Sequence, residues 1–259
     1  MSKIIYSFKK IKSIDSKNES WFVHFILNKI VFPLLYIIAN YTKVHSNHIT
    51  FISLLLGIIS AFYFYIGEYS SASILYLLSF LCDCLDGKLA RLKQNGSIYG
   101  PWLDLIVDRF IYGIIIFSYC RSLCILKGDI IYQVYGFFIL FFMYLGEISR
   151  DKLLEYSFSK RKGLSQVTDH TINNIMFKKN KYHFLKSYID FTKRHRVQIL
   201  PVELIEIQIY LFVISPWLIN FKLFFNAGFI FILVLLIFRW TLVPVVFWKK
   251  ERKFENEKY

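Results

Sequence analysis

Four aspartates lie close together in residues 81–110, where apolar segments flank them. Asp83 and Asp86 are three positions apart near the end of one apolar segment, and Asp104 and Asp108 are four positions apart near the start of the next. On a helix, either spacing places both side chains of a pair on one face. Ionisable groups at membrane depth are costly, so they indicate a functional site by default.

The link between the two acidic pairs favours a tight antiparallel helical hairpin. Asn95-Gly96 is a strong turn signal, and Pro101 suits the first turn of the helix that follows. Like charges in contact oppose one another's ionisation, whereas a divalent cation relieves the repulsion. An all-carboxylate site favours Mg²⁺ or Mn²⁺ over zinc, and a pair of such ions suits in-line displacement at phosphorus. The sequence therefore predicts a site for two such ions, with the ligands Asp83, Asp86, Asp104 and Asp108.

The neighbours of these aspartates suit a substrate that carries phosphate. Gly87 lets a ligand approach the backbone closely, and Ala90 keeps the same helix face shallow. Arg91 offers a planar fork of donors to phosphate oxygens. Gly100 allows close packing where the second helix begins. A simpler alternative is that Asp104 and Asp108 form ion pairs with nearby arginines.

The composition indicates a membrane protein. Of the 259 residues, 56% are hydrophobic and only 19% are charged, whereas a soluble domain carries about 25% charged residues. This excludes a disordered chain and argues against an ordinary soluble globule. Crossing the membrane takes about 20 helical residues, and six segments are candidates: Ile49–Ile66, Ser71–Leu85, Leu103–Leu126, Ile130–Leu145, Leu204–Phe225 and Ala227–Trp248.

The distribution of charge predicts the topology. If the six segments span, 27 of the 32 Lys and Arg residues lie on one side, which the positive-inside rule makes cytoplasmic, with both termini. A seventh apolar segment, Trp21–Tyr41, follows five lysines and contains Pro33. We interpret it as an interfacial helix, kinked or broken near Pro33, and an ordinary seventh span is the alternative. The predicted fold is an all-α integral membrane protein: an N-terminal interfacial helix followed by six transmembrane helices.

At its acidic cluster the sequence resembles the CDP-alcohol phosphotransferase (CDP-alcohol phosphatidyltransferase) family, whose signature is DxxDGxxAR, seven or eight residues, then GxxxDxxxD. Every signature position is filled here, by Asp83, Asp86, Gly87, Ala90, Arg91, Gly100, Asp104 and Asp108. The family fold is similar to the layout above. The resulting division is a basic cytoplasmic N-terminus (1–19), an interfacial helix (20–42), a six-helix membrane domain (43–248) with a cytoplasmic loop (150–200), and a basic cytoplasmic tail (249–259).

The resemblance implies a nucleotide pocket upstream of the signature. The family often has Asn-x-x-Thr at the start of its first spanning helix, and Asn47 and Thr50 match it here. An N-cap is the alternative role for Asn47. Ser97 lies six positions after Arg91, where family members contact the nucleotide through a small hydroxyl residue. The implied contacts of the CDP-linked alcohol are Asn47, Thr50, Asp83, Gly87, Ala90, Arg91 and Ser97.

The resemblance also implies the reaction. Asp108 is the expected general base for an acceptor hydroxyl, which attacks the phosphorus bearing the alcohol while CMP leaves. The donor is expected to be CDP-diacylglycerol in phospholipid biosynthesis, and the acceptor inositol phosphate or a similar polyol phosphate. The resemblance further implies a homodimer. Cationic candidates for an acceptor phosphate are Arg150, Arg194, Arg196 and Arg239, whereas Glu147, Glu203 and Glu206 are left unassigned.

Three other functions remain open at this stage. A metal-cation transporter would use the same aspartates as its ion site. A scaffold would bind nucleic acid or anionic lipid through the basic 150–200 segment, although we expect no nucleic-acid partner. A transferase with a non-lipid CDP-alcohol donor would share the cluster. We place the protein in the cytoplasmic membrane, with membrane lipid, a CDP-linked donor and a hydroxyl acceptor as partners.

Overall fold

The fold is helical throughout the part of the chain that the structure describes. The computed structural model describes residues 6–14, 19–94, 99–159, 190–192, 194–195, 197, 204–220, 226–238 and 241, with side chains except at residues 101 and 149–159. Among these residues there is no strand beyond an isolated bridge between Glu19 and Val197. The all-α prediction is therefore confirmed for this part of the chain.

From α2 to α6 the helices follow one another with short connections. The order is α1 (Phe8–Ser13), a π-helical turn (Val23–Leu27) that leads into α2 (Asn28–Tyr41), α3 (Ser46–Ile66), α4 (Tyr69–Lys93), α5 (Gly100–Lys127) and α6 (Ile131–Ser159). Further along, α7 (Leu204–Ile209) is extended by a π-helical turn (Tyr210–Ile214) and a 3₁₀ turn (Ser215–Leu218), and α8 spans Asn226–Phe238.

Among the residues that the structure describes, four helical segments are long and apolar enough to cross a membrane. Three of them, Ser46–Ile66, Trp102–Lys127 and Ile131–Ile148, contain or closely match predicted spans. The fourth is Val23–Tyr41, so its placement flat on the membrane stays a prediction. The predicted Ser71–Leu85 span lies within α4, and α7 and α8 are shorter apolar helices. The structure thus supports a multi-pass helical membrane protein, while the number of six spans stays a prediction.

The N-terminal helices pack on each other. The predicted break at Pro33 is not observed, because α2 is one helix that includes Pro33. The Asn40 side chain accepts a hydrogen bond from the Tyr6 N–H (2.9 Å) and donates one to the Tyr6 carbonyl (3.0 Å). This pair of bonds fixes the start of α1 beside the end of α2.

Helices α3 and α4 form a tight hairpin. Gly67 ends α3 with φ 86°, a left-handed conformation that glycine adopts without strain. Farther along the hairpin, the Ser53 hydroxyl donates to the Ser79 carbonyl (2.9 Å), and the Ser79 hydroxyl donates to the Ser53 carbonyl (2.8 Å). Small residues that bond to backbone carbonyls allow two helices in a membrane to approach closely.

Helix α5 packs against both α3 and α6 at glycine contacts. A Cβ atom on Gly57 would lie 2.8 Å from the Ile111 side chain, so glycine is required for this approach of α3 to α5. A Cβ on Gly136 would lie 2.7 Å from the Cys120 sulfur. All four cysteines are free thiols, and Cys120 is a buried packing residue.

Candidate metal and nucleotide site

Three helix ends meet at the candidate site. Helix α4 ends at Lys93, and the next residue, Gln94, takes a left-handed conformation with φ 52°. Helix α5 begins at Gly100 with proline in its first turn, as the sequence predicts. The Lys93 ammonium donates a hydrogen bond of 2.8 Å to the carbonyl of Val44, two residues before α3 begins. The last turn of α4 is therefore tied to the entrance of α3.

Three of the four predicted carboxylates converge. One carboxylate oxygen from each of Asp83, Asp104 and Asp108 lies within 4.8 Å of the others, and all three residues are half-buried. The i, i+4 spacing places Asp104 and Asp108 on one face of α5, as expected from the sequence. The expected tight hairpin between α4 and α5 is not observed, because both helices pack mainly against α3, and only their acidic faces approach each other. A set of carboxylate oxygens at this spacing matches the ligands that Mg²⁺ and Mn²⁺ prefer.

Asp86 lies apart from this group, against α3. Its side chain is buried (3% exposed), and one carboxylate oxygen accepts a hydrogen bond of 2.5 Å from the Thr50 hydroxyl. The same hydroxyl oxygen lies 3.2 Å from the Ser46 carbonyl one turn earlier, so its single proton can be shared with that carbonyl only weakly. The structure therefore joins a predicted metal ligand directly to a predicted nucleotide contact.

An open face of α4 adjoins the carboxylates. A Cβ atom on Gly87 would meet no atom within 4 Å, so packing within the described chain does not require glycine there. Arg91 is exposed, and its Nε donates to the Gly87 carbonyl one turn earlier (3.1 Å). Ala90, half-buried, adds no bulk to this face. The space next to Gly87 is available to a ligand, as the sequence analysis expects.

The predicted nucleotide residues lie at the start of α3. Asn47 is exposed in the first turn of α3, and the N-cap position belongs to His45 instead. The alternative N-cap role for Asn47 is therefore wrong. Ser97, the third predicted hydroxyl or amide contact, lies outside the described residues.

Nearby cations are paired with glutamates rather than with the aspartates. Arg109, the residue after Asp108, forms an ion pair with Glu147 of α6 (2.8 Å), and Lys88 of α4 forms one with Glu19. In the part of the chain with described side chains, no ion pair joins a lysine or arginine to the four aspartates. The alternative of aspartate–arginine pairs thus has no support there. Carboxylates gathered without a paired cation fit a divalent metal.

Several acceptor candidates cannot be placed. Arg196, Arg239 and Glu203 lie outside the described residues, as does the side chain of Arg150. Arg194 is exposed. Glu206 of α7 accepts a hydrogen bond from the backbone N–H of Phe22 (3.3 Å), which is a contact between helices.

The Glu19–Lys88 pair behind the site is not predicted from the sequence. Lys88 stands between the buried leucines Leu85, Leu89 and Leu92, and a lysine on an apolar helix face was the available signal. Its partner is 69 positions earlier in the chain, which no local pattern reveals.

The fold and site together define a class: a helical membrane protein with a carboxylate site of the divalent-metal type where three helices meet. Residues 43–151, which contain the α3–α5 core of this site, match the model of the CDP-alcohol phosphatidyltransferase family. This match confirms the resemblance to the family that the signature predicts. The family indicates a transferase for phosphate-bearing groups.

Two curated relatives are similar to part of this chain. A protein of Thermococcus kodakarensis named "Bifunctional IPC transferase and DIPP synthase" is 32% identical over 121 residues, which cover 47% of this chain and 25% of the relative. A protein of Aquifex aeolicus with the same name is 33% identical over 69 residues, covering 27% of this chain and 16% of the relative. The chain thus matches a quarter or less of the length of these relatives.

Proposed function

We propose that this protein is an integral membrane CDP-alcohol phosphotransferase. It transfers a substituted phosphate, the phosphatidyl group of CDP-diacylglycerol, to a hydroxyl of inositol phosphate or a similar polyol phosphate, and CMP is released. The observation that carries the proposal is the convergence of Asp83, Asp104 and Asp108 within 4.8 Å beside the open face at Gly87. The match of residues 43–151 to the family supports it.

The donor lies between α3 and α4 in this proposal. The cytidine contacts Asn47 and Thr50 at the start of α3. The diphosphate occupies the space in front of Gly87, where a Cβ would meet no protein atom within 4 Å. The exposed guanidinium of Arg91 then donates to the diphosphate oxygens, because it lies one turn beyond that space.

Asp108 is the general base. It takes the proton of the acceptor hydroxyl as the acceptor oxygen forms a bond to the phosphorus that bears the alcohol. The bond between that phosphorus and the bridging oxygen breaks, and the electron pair leaves with CMP. Asp83, Asp104 and Asp108, with Asp86 beside them, would hold two Mg²⁺ or Mn²⁺ ions, which would neutralise charge on the diphosphate.

The proposed arrangement places the site at the cytoplasmic face of the cell membrane. The concentration of Lys and Arg on one side of the predicted spans supports this orientation, with both termini cytoplasmic. A six-helix domain over residues 43–248, the loop 150–200 and a homodimer are parts of the same proposal.

CMP release in lipid nanodiscs tests the proposal. The purified chain receives CDP-diacylglycerol and Mg²⁺ with inositol phosphate, inositol, glycerol phosphate, serine or choline, and a parallel series uses water-soluble CDP-alcohols. We expect release with a polyol phosphate, and a fall of at least about a hundredfold in Asp108→Asn, because general-base catalysis contributes about that factor or more. CMP release only with water-soluble CDP-alcohols would show that the donor is not CDP-diacylglycerol. Metal flux into proteoliposomes without CMP release would favour the transporter.

A further inference from the structure

A buried ion pair joins α4 to the chain segment that precedes α2. Lys88 is 2% exposed, and its ammonium bonds to a carboxylate oxygen of Glu19, whose side chain is 7% exposed. The same ammonium lies 5.3 Å from the centre of the Phe32 ring of α2. Burying two charges carries a large desolvation cost, so a buried pair is weak evidence for stability alone. We therefore consider what the position of this ion pair does for the orientation of α4.

Glu19 connects three parts of the chain. Its second carboxylate oxygen accepts a hydrogen bond of 2.7 Å from the side chain of Asn28, the first residue of α2. Its backbone forms the isolated bridge with Val197. Three residues later, the Phe22 N–H donates to Glu206 of α7. The segment around Glu19 is thus held by α2 and α7 as well as by its bond to Lys88 of α4.

Lys88 lies on the side of α4 opposite the carboxylates. A helix turns by about 100° per residue, so Lys88 is about 140° around the axis from Asp83 and about 160° from Asp86. The Lys88 face carries the buried leucines, and the Asp83 and Asp86 face is turned towards α5 and α3. A bond at the back of the helix, directly after Gly87, resists rotation of α4 about its axis.

We infer that Lys88 is a positioning residue: its bond to Glu19 holds α4 in the rotation that presents Asp83, Asp86 and the open face of Gly87 to the substrate. The N-terminal segment consequently affects the donor site through the orientation of α4, without contacting the substrate. The kinetic consequence of this inference rests on the proposed function, whereas the orientation of α4 does not.

The first test compares Lys88→Met with the exchanged pair Glu19→Lys/Lys88→Glu. We expect Lys88→Met to raise the donor KM about tenfold and to lower kcat by a smaller factor, since the donor contacts and Asp83 move with α4 while Asp104 and Asp108 stay in place on α5. The exchanged pair restores a bond between the same two segments and returns the donor KM to within about threefold. Tenfold corresponds to about 1.4 kcal/mol.

Lys127→Met is the matched control. Lys127 also joins two helical regions, through a bond of 3.0 Å to the Ile219 carbonyl, at the far end of α5. We expect Lys127→Met to lower the melting temperature without a change in the donor KM. If Lys88→Met also lowers only the melting temperature, Lys88 is a stabilising residue and the inference is wrong.

The second test needs no turnover. Cys84 is one turn before Lys88, about 40° around the helix, and is half-buried. In a chain whose other three cysteines are replaced by serine, we expect Lys88→Met to change the maleimide labelling rate of Cys84 at least threefold, and the exchanged pair to restore it. Equal rates overturn the inference. If the wild-type chain releases no CMP, the proposed function fails, and the labelling rates still decide the orientation of α4.

Discussion

Thr50 of α3 donates a hydrogen bond of 2.5 Å to Asp86 of α4. Asp86 is not part of the group formed by the other three aspartates, whose oxygens lie within 4.8 Å of one another. The four aspartates of the signature thus have two environments. Three of them form a group of carboxylates, and the fourth is bonded to the start of α3. The two environments give different expectations for substitution.

Replacing the hydroxyl of Thr50 tests the environment of Asp86. Thr50→Val removes the bond to Asp86 while keeping the shape of the side chain. We expect the donor KM to rise about tenfold, because one hydrogen bond to a charged group contributes about 1.5–3 kcal/mol and part of that is recovered by water. Thr50→Ser keeps the hydroxyl and should stay within about threefold of wild type. An unchanged donor KM in Thr50→Val would show that the bond does not shape the donor site.

Mn²⁺ binding, followed by electron paramagnetic resonance, distinguishes three ligands from four. Single Asp→Asn changes at Asp83, Asp104 and Asp108 should each weaken Mn²⁺ binding at least about tenfold, since loss of even a ligand-orienting group costs about 10–100-fold in metal affinity. Asp86→Asn should weaken it less. Asp129→Asn is the control, because Asp129 is exposed beyond the opposite end of α5, where its side chain accepts a bond from the Ile131 N–H. Equal losses for all four aspartates would make Asp86 a full ligand.

Two glycines offer a paired test of the open face. Gly87→Ala adds a methyl group where no atom lies within 4 Å, so the fold tolerates it, and alanine favours a helix by about 1 kcal/mol over glycine. We expect an equal or higher melting temperature together with a donor KM raised at least about fivefold, about 1 kcal/mol. Gly57→Ala should lower the melting temperature and leave the donor KM unchanged, because its Cβ would lie 2.8 Å from Ile111. Full donor affinity in Gly87→Ala would move the diphosphate elsewhere.

The ion pair between Arg109 and Glu147 predicts that a residue outside the metal site affects Mn²⁺ affinity. Glu147→Gln removes the carboxylate that holds Arg109 at 2.8 Å, and the guanidinium then becomes a counter-charge for the neighbouring aspartates. We expect Mn²⁺ affinity to fall about fivefold, close to the 1 kcal/mol upper value for partly exposed pairs. The double variant Arg109→Gln/Glu147→Gln removes the competing charge and should restore the affinity. Tighter binding in the single variant would contradict this interpretation.

Local patterns predicted the helical framework of the site well. The acidic spacing placed Asp83, Asp104 and Asp108 on facing helices, and Pro101 marked the first turn of α5. These features depend on helix periodicity and on the conformational limits of proline, which act within a few residues. The free space at Gly87 likewise agrees with its expected role.

Contacts between distant segments were beyond such patterns. The bond between Thr50 and Asp86 joins residues 36 positions apart, and the bond between Glu19 and Lys88 joins residues 69 positions apart. Both depend on how α2, α3 and α4 pack, which helix periodicity does not determine. The sequence consequently grouped Asp86 with the other aspartates, and no local pattern indicated the bond between Glu19 and Lys88.

The distribution of the site over successive helices has a consequence for biogenesis. The ribosome synthesises α3 and α4 before α5. The reciprocal serine bonds and the short turn at Gly67 join α3 and α4 as a hairpin that already carries Thr50 and Asp86. Asp104 and Asp108 arrive only with α5. A nascent chain interrupted before Gly100 therefore inserts an anchored hairpin but cannot gather three carboxylates, so premature termination yields a product unable to sequester metal.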